Sequence, residues 1–271
     1  MNPEFFQFFP EQNIIATIGP LTLYFYGAMY ALGAIGGIYI TEFFAKKRGI
    51  KISGDQITNI MFWLMLGGVI GGRIFEILVY NLDFYLENPA DILAVWKGGM
   101  SIHGGLIGGA IGFIASCKIQ KLQVGEISGI FMPALALGLM WGRLGNFMNG
   151  ELYGRITENT VLGVDFTLKS DPENTLRHPA QIYAMIKDFL IFVIVSYLLL
   201  APSSFKTRMK NGEIFMIFLA LYGSFRFIVE FFREFDPVTG IFWGWMSIGQ
   251  ILSLTVTLIA GILWIMRKRM F

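Results

Sequence analysis

Residues 130–155, "IFMPALALGLMWGRLGNFMNGELYGR", change from apolar to polar without a break. The first eleven residues, 130–140, have the composition of a membrane helix. The remainder, 141–155, carries two arginines, two asparagines, one glutamate and four glycines. Charged side chains at the end of a membrane span persist when they pair, line a wet cavity or meet a charged ligand. The stretch therefore predicts a membrane protein with a polar site at the end of one span.

The composition of the whole chain supports this class. Its 271 residues are 55% hydrophobic and 15% charged, with a mean hydropathy of +0.60, whereas about a quarter of the residues in a soluble domain are charged. The net charge of +2 is too small to indicate a nucleic-acid partner. A single cysteine, Cys117, excludes an internal disulfide and a multi-cysteine metal site.

Seven segments are long and apolar enough to cross a hydrocarbon core of about 30 Å. The predicted fold is therefore an all-α polytopic membrane protein, formed by one transmembrane domain over residues 1–271. The polar link 147–181, rich in Thr, Asn, Asp and Pro, is predicted to form a small extracytoplasmic cap with short strands or turns. The predicted spans are 21–44, 57–80, 98–117, 126–146, 182–201, 212–232 and 243–266.

The distribution of basic residues predicts the orientation of the spans. Residues 1–20 contain no Lys or Arg, and neither does the link 81–96. The positive-inside rule therefore puts the N-terminus outside and the C-terminus in the cytoplasm, as an odd number of spans requires. The basic residues follow the first, third, fifth and seventh spans: Lys46, Lys47, Arg48, Lys51, Lys118, Lys121, Lys206, Arg208, Lys210, Arg267, Lys268 and Arg269.

Glycines recur every four residues in "HGGLIGGAIG", at Gly104, Gly108 and Gly112. Small residues on one face let two helix backbones approach closely, so helix packing is the first interpretation. The alternative is a groove for an acyl chain or head group. His103 opens the same segment and titrates near neutral pH. With His178 as the only other histidine, and no carboxylate at metal-ligand spacing, we expect no zinc site.

Six charged side chains lie in or at the ends of apolar segments, and arginines outnumber glutamates among them. In "FRFIVEFFRE", Arg226, Glu230 and Arg233 share one helical stripe, so an internal ladder of ion pairs is one interpretation. The surplus of arginine favours another, an anion supplied from outside the protein, because guanidinium matches phosphate as a planar fork of donors. The most available anion in a membrane is a phospholipid head group. The charged residues are Arg73, Arg143, Glu151, Arg226, Glu230 and Arg233, with Glu76 as a further possible partner.

These motifs together resemble the signature of the prolipoprotein diacylglyceryl transferase family. "GGMSIHGGLIGG" precedes "GRLGNFMNGELYGR" by about forty residues, and "YFYGAMY", "RHPAQIYA" and "YGSFRFIVEFFREFDP" follow the family order over nearly the whole chain. The resemblance implies an enzyme of the bacterial inner membrane, with its active site toward the outer leaflet. It would move a diacylglyceryl group from phosphatidylglycerol to the lipobox cysteine in the signal peptide of a preprolipoprotein, leaving a thioether and glycerol phosphate.

The resemblance also implies roles for individual residues. His103, Arg143, Glu151 and Arg226 would be catalytic, with His103 either the base for the thiol or only a positioning group. No metal or organic cofactor is expected, because the lipid supplies the bond that is broken. Substrate binding would fall to Tyr26, Arg143, Asn146, Gly154, Tyr222, Arg226, Glu230 and Arg233.

Three positions depart from the family pattern, at Glu76, Gly129 and Ala184, where tyrosine, aspartate and glutamate are usual. Gly129 and Ala184 motivate an alternative, a member that has lost catalysis and only binds lipid or signal peptides. The arginine-lined cavity motivates another, a transporter of anionic lipid.

Overall fold

The computed structural model describes residues 14–18, 21–95, 98–166, 171–172, 174–201, 210–234, 241–242 and 245–270. Seven of its helices are long and apolar enough to span a membrane, which confirms the predicted class and number of spans. The second span continues from its α-helix through a π-helical turn, Glu76–Tyr80. The helices are α1 Phe25–Arg48, α2 Gly54–Phe75, α3 Leu82–Glu87, α4 Ile102–Ile119, α5 Val124–Met148, α6 Ala180–Leu200, α7 Asn211–Glu230 and α8 Ile248–Met270.

Three predicted spans begin too early, each for a local reason. Residues 21–24 form strand β2 (Leu21–Tyr24), which pairs antiparallel with β1 (Ile14–Ile18), so the first helix starts only at residue 25. Helix α4, which forms the third span, starts only after Ser101, because Gly98 and Gly99 before it adopt positive φ. The hydroxyl of Ser101 then caps the helix by accepting from the amide of Gly104. The seventh follows the hairpin of β3 (Ile241–Phe242) and β4 (Met246–Ser247).

The chain divides into two compact units, one of which is residues 49–127. In this unit α2 and α4 are in backbone contact along a row of glycines. A Cβ on Gly104, Gly108 or Gly112 would overlap a carbonyl oxygen of α2, those of Gly71, Gly67 and Trp63 respectively. The glycines therefore serve helix packing, which was the first interpretation, and their Cα faces are filled by the partner backbone rather than open to an acyl chain.

The other unit comprises residues 1–48 and 128–271 and contains the polar link between α5 and α6. Isolated backbone bridges order the link, in agreement with the short strands or turns predicted there: Gly154 with Arg233, Ile156 with Arg177, and Val164 with Arg177. Gly154 is buried where the link, the start of α6 and the end of α7 converge. Its amide donates to His178 O at 2.8 Å, and a Cβ would overlap Phe232 O.

Candidate active site

The polar end of α5 presents an arginine that has no carboxylate partner among the residues described. Arg143 is half-buried, and its Nη1 donates to Asn146 Oδ1 at 3.4 Å. Asn146, one turn later, is 7% exposed. The spacing of three residues puts both side chains on the same helix face. Arg143 thus keeps its positive charge and most of its donors for a ligand.

The carboxylate of Glu151 forms no ion pair with Arg143 in the part of the chain that the structure describes. Its carboxylate Oε1 instead accepts from Asn149 Nδ2 at 2.6 Å, and the side chain is exposed. Both backbone polar groups of Glu151 are hydrogen-bonded. Its amide donates to Asn146 O at 3.0 Å, and its carbonyl accepts from Gln181 Nε2 at 2.7 Å. Gln181 is 1% exposed in the first turn of α6. This contact joins the end of the polar stretch to α6.

The stripe on α7 is a ladder of charges, as the i, i+4 and i, i+3 spacing predicted. Arg226 forms an ion pair with Glu230, and Arg233 Nη1 lies 3.9 Å from the same carboxylate oxygen. Ser247 Oγ donates to the other oxygen, Glu230 Oε1, at 3.2 Å. A Cβ at Gly249 would overlap that carboxylate, so a glycine at the start of α8 is what makes room for it. Arg226 therefore shares one carboxylate with Arg233, whereas Arg143 forms no ion pair with a carboxylate in the described residues.

A buried ion pair on α6, Lys187 with Asp188, was missed by the sequence reasoning. The two side chains are 4% and 1% exposed. Lys187 Nζ lies 4.1 Å from the centroid of the Tyr222 ring, which precedes Arg226 by one turn on α7. Arg143 and Arg226 both act electrostatically on Lys187 and Asp188, so α5, α6 and α7 contribute to one charged cluster. Two adjacent charges inside "IYAMIKDFLIF" were the available signal.

The polar link is held by a second charged cluster, centred on Arg177. Its guanidinium forms a bidentate pair with Asp171, at 2.6 and 2.9 Å, and contacts Glu234 at 2.6 Å and Gly154 O at 3.1 Å. It also lies 4.8 Å above the Tyr153 ring. The hydrogen bond to Asp171 is the main reason that the pKa of Arg177 is raised, and the bond to Glu234 adds to it. All three guanidinium nitrogens are engaged, by Asp171 and Gly154 of the link and by Glu234, so Arg177 is structural.

The lowered pKa of His178 leads us to expect that the stability of the protein depends on pH. Burial, and then the charge of Arg155, lower the pKa of His178 below its ordinary value near 6.5. The unfolded chain therefore takes up this proton more readily than the folded one. The contribution of His178 to the free energy of unfolding is fully present above the unfolded pKa, and it is lost as the pH falls from the unfolded pKa through the lower folded pKa. We expect a lower melting temperature in detergent at pH 5.5 than at pH 7.5.

The chain's two histidines provide the control for this prediction. The pH dependence should shrink in a His178→Gln variant and persist in a matched His103→Gln variant. If instead His103→Gln removes the dependence, the assignment to His178 is wrong.

In the unit of residues 49–127, His103 lies in the first turn of α4 with its side chain exposed. Its Nδ1 is 3.3 Å from the hydroxyl of Tyr80, and its ring centroid is 6.3 Å from that of Phe75. Tyr80 ends the π-helical turn after α2, a wider turn that often occurs at functional sites. With Nδ1 engaged, Nε2 is the nitrogen left for a substrate.

Arg73, which the sequence analysis counted in the arginine surplus available to an anion, is fully engaged within the protein. It is 6% exposed, and backbone carbonyls occupy its donors: Ile92 at 3.0 Å, Gly98 at 2.7 Å and Gly99 at 2.8 Å, with Asp91 and Ala94 also accepting. Its guanidinium also packs 4.9 Å from the Tyr85 ring centroid. Arg73 therefore holds residues 91–94 and 98–99 against α2 and has no donor to spare for an anion.

Glu76, the suggested third acidic partner, accepts from Asn81 Nδ2 at 2.7 Å instead. In the described part of the chain it forms no ion pair with Arg73. Gly129 and Ala184 are both buried within helices, so these departures from the family pattern lie where helices pack. Tyr26 belongs to the first turn of α1, but its side chain lies outside the described residues.

The chain is similar to named sequences over nearly its full length. It matches the profile of a family described as prolipoprotein diacylglyceryl transferase over residues 13–266. A relative from Geobacter sulfurreducens is 40% identical over 243 residues, covering 89% of this chain and 90% of the relative. Relatives from Rickettsia bellii and Photobacterium profundum are each 36% identical, over 93% and 97% of this chain and 94% and 96% of their own. All three are named phosphatidylglycerol–prolipoprotein diacylglyceryl transferase.

Proposed function

Because the chain belongs to the prolipoprotein diacylglyceryl transferase family, we propose that it transfers diacylglyceryl from phosphatidylglycerol to a cysteine thiol of a prolipoprotein. The sulfur attacks the carbon of the diacylglyceryl group that is bonded to the phosphate oxygen. A carbon–sulfur bond forms, the carbon–oxygen bond breaks, and glycerol phosphate leaves with the electron pair. The thiol proton passes to a base or to solvent. The nucleophile would be the lipobox cysteine of a signal peptide held in the bilayer.

Arg143 carries the proposal, because it is a guanidinium without a carboxylate partner in the described residues. The phosphate gains charge as it leaves, so a preorganised cation stabilises the transition state more than the ground state. Asn146 can donate its amide to the head group while its carbonyl oxygen orients Arg143. Arg226, braced by Glu230 and Arg233, is the second cation for the phosphate.

The remaining predicted residues divide into binding and supporting roles. Tyr222 and Gly154 support the site rather than touch the phosphate: Tyr222 packs against Lys187, and Gly154 lets the link approach Phe232 and His178. Glu151 contributes through its backbone, which fixes the end of the polar stretch to Gln181. Tyr26 retains its proposed role in substrate binding.

The site is proposed to face the outer leaflet of the bacterial inner membrane. Lys46, Lys47 and Arg48 end α1, and Arg267 lies in the last turns of α8. The positive-inside rule puts these ends in the cytoplasm and the polar link outside. A lipobox cysteine is reached from the outer side, as is the end of α5 that carries Arg143 and Asn146.

Mass spectrometry of a lipobox peptide tests the function. Purified protein in phosphatidylglycerol vesicles should add the mass of one diacylglyceryl group to the peptide and release glycerol phosphate. A peptide with serine in place of the cysteine is the control and should stay unmodified. Lipid binding without thioether product would favour a member that has lost catalysis, and lipid movement across liposomes without peptide would favour a transporter.

The role of His103 as the base has its own test. If Nε2 accepts the thiol proton, His103→Gln should lower kcat by about 10²–10⁴-fold, the usual contribution of a general base. The control is Tyr80→Phe, which keeps the imidazole but removes the hydroxyl beside Nδ1. Near-normal transfer by His103→Gln would leave His103 only a positioning role and would make the arginine field responsible for the thiolate.

A further inference from the structure

The buried pair of Lys187 and Asp188 has no part in the reaction described above. The side chains are 4% and 1% exposed within a membrane-spanning helix. Removing two charges from water is costly, and an apolar pair of the same volume is often at least as stable. Ionisable side chains at membrane depth are rare and mark functional sites. Stability alone therefore does not account for this pair.

The surroundings of the pair connect it to the arginines. Lys187 Nζ contacts both Asp188 and the face of Tyr222, one turn before Arg226. Within the described residues, the second carboxylate oxygen of Asp188 has no hydrogen-bond partner. Arg143 and Arg226 act electrostatically on this carboxylate from the neighbouring helices. Without Lys187, Asp188 would be an internal counterion for the same arginines that the phosphate needs.

We propose that Lys187 is a positioning residue that neutralises Asp188 and so keeps the field of Arg143 and Arg226 available for phosphate. This inference rests on the proposed phosphate role of those arginines. With the ion pair intact, the pair contributes no net charge beside the site. With Lys187 uncharged, the carboxylate of Asp188 repels the incoming phosphate and attracts the guanidinium groups in its place.

Binding of inorganic phosphate to the full chain in non-ionic detergent, measured by calorimetry at pH 7.5, tests the inference. Lys187→Gln removes the charge but keeps a donor for Asp188. We expect phosphate affinity to fall about tenfold, because an uncompensated buried carboxylate repels a nearby anion through a low effective dielectric. Lys187→Arg keeps the charge and should stay within about twofold of the wild type. The double variant Lys187→Gln with Asp188→Asn has no net charge at the pair and should also recover wild-type affinity.

The pattern separates an electrostatic role from a packing role, because packing defects would not be rescued by neutralising Asp188 and would appear as a lower melting temperature at unchanged phosphate affinity. The double variant leaves no unpaired buried charge, so it stays informative even where the single variant unfolds. Tenfold weaker binding in the double variant, or unchanged binding in folded Lys187→Gln, would overturn the inference. Unchanged binding in Arg143→Ala would instead overturn the proposed phosphate site.

Discussion

Replacing Arg143 with alanine is expected to lower kcat/KM for diacylglyceryl transfer by about 10²–10³-fold, the usual loss when one preorganised donor to a developing charge is removed. The reason is that Arg143 forms no ion pair with a carboxylate in the described structure, so its donors other than the one given to Asn146 are available to the leaving phosphate. The measurement is the initial rate of peptide lipidation in vesicles. Arg143→Lys keeps a point charge but not the planar fork of donors, so its kcat/KM should lie between those of the wild type and Arg143→Ala.

Arg267→Ala is the matched control for this variant. It also removes one guanidinium, but this one pairs with Glu213 at 3.0 Å. Glu213 lies in the first turn of α7, at the end of that helix away from Arg226. Its transfer rate should stay within about twofold of the wild type, since partly exposed ion pairs contribute little. Normal transfer by Arg143→Ala would remove Arg143 from the phosphate site.

The second large effect is expected from Gly108→Ala in α4. The new Cβ would overlap Gly67 O and lie 2.9 Å from the Cα of Gly71, so the backbones of α2 and α4 must separate. Overpacking of this kind typically costs about 1–3 kcal/mol, and here the colliding atoms belong to the backbone and cannot change rotamer. The melting temperature of the protein in detergent should fall by several degrees, by the usual scaling of about 2–4 °C per kcal/mol for a chain of this size.

Gly105→Ala provides the comparison within the same helix. The nearest atom to its new Cβ is Gly68 O at 3.6 Å, an ordinary van der Waals contact, and alanine is the better helix former. Its melting temperature should equal or exceed that of the wild type. Equal melting of the two variants would show that the close contact between α2 and α4 does not limit stability.

The sequence alone determined the helical class, the seven spans and the family. In lipid every backbone polar group must be satisfied internally, so a block of about twenty apolar residues has no alternative to a helix. The spacing of Gly104, Gly108 and Gly112 likewise determined which face of α4 packs. Helix starts were less certain, because Ser101 and the two short hairpins act through local hydrogen bonds that hydropathy does not register.

Only the tertiary structure decided which arginines are free. Arg73, Arg143 and Arg226 look alike in sequence, yet the first is saturated by backbone carbonyls, the third is paired with Glu230, and Arg143 alone of the three keeps its charge unpaired in the described residues. The tertiary structure also decided that the carboxylate of Glu151 accepts from Asn149, and that the Lys187–Asp188 pair lies beside Tyr222. The physical reason is that a charge is compensated by whatever lies within a few ångströms, and for Arg73 those neighbours are as much as 18 to 26 residues away along the chain.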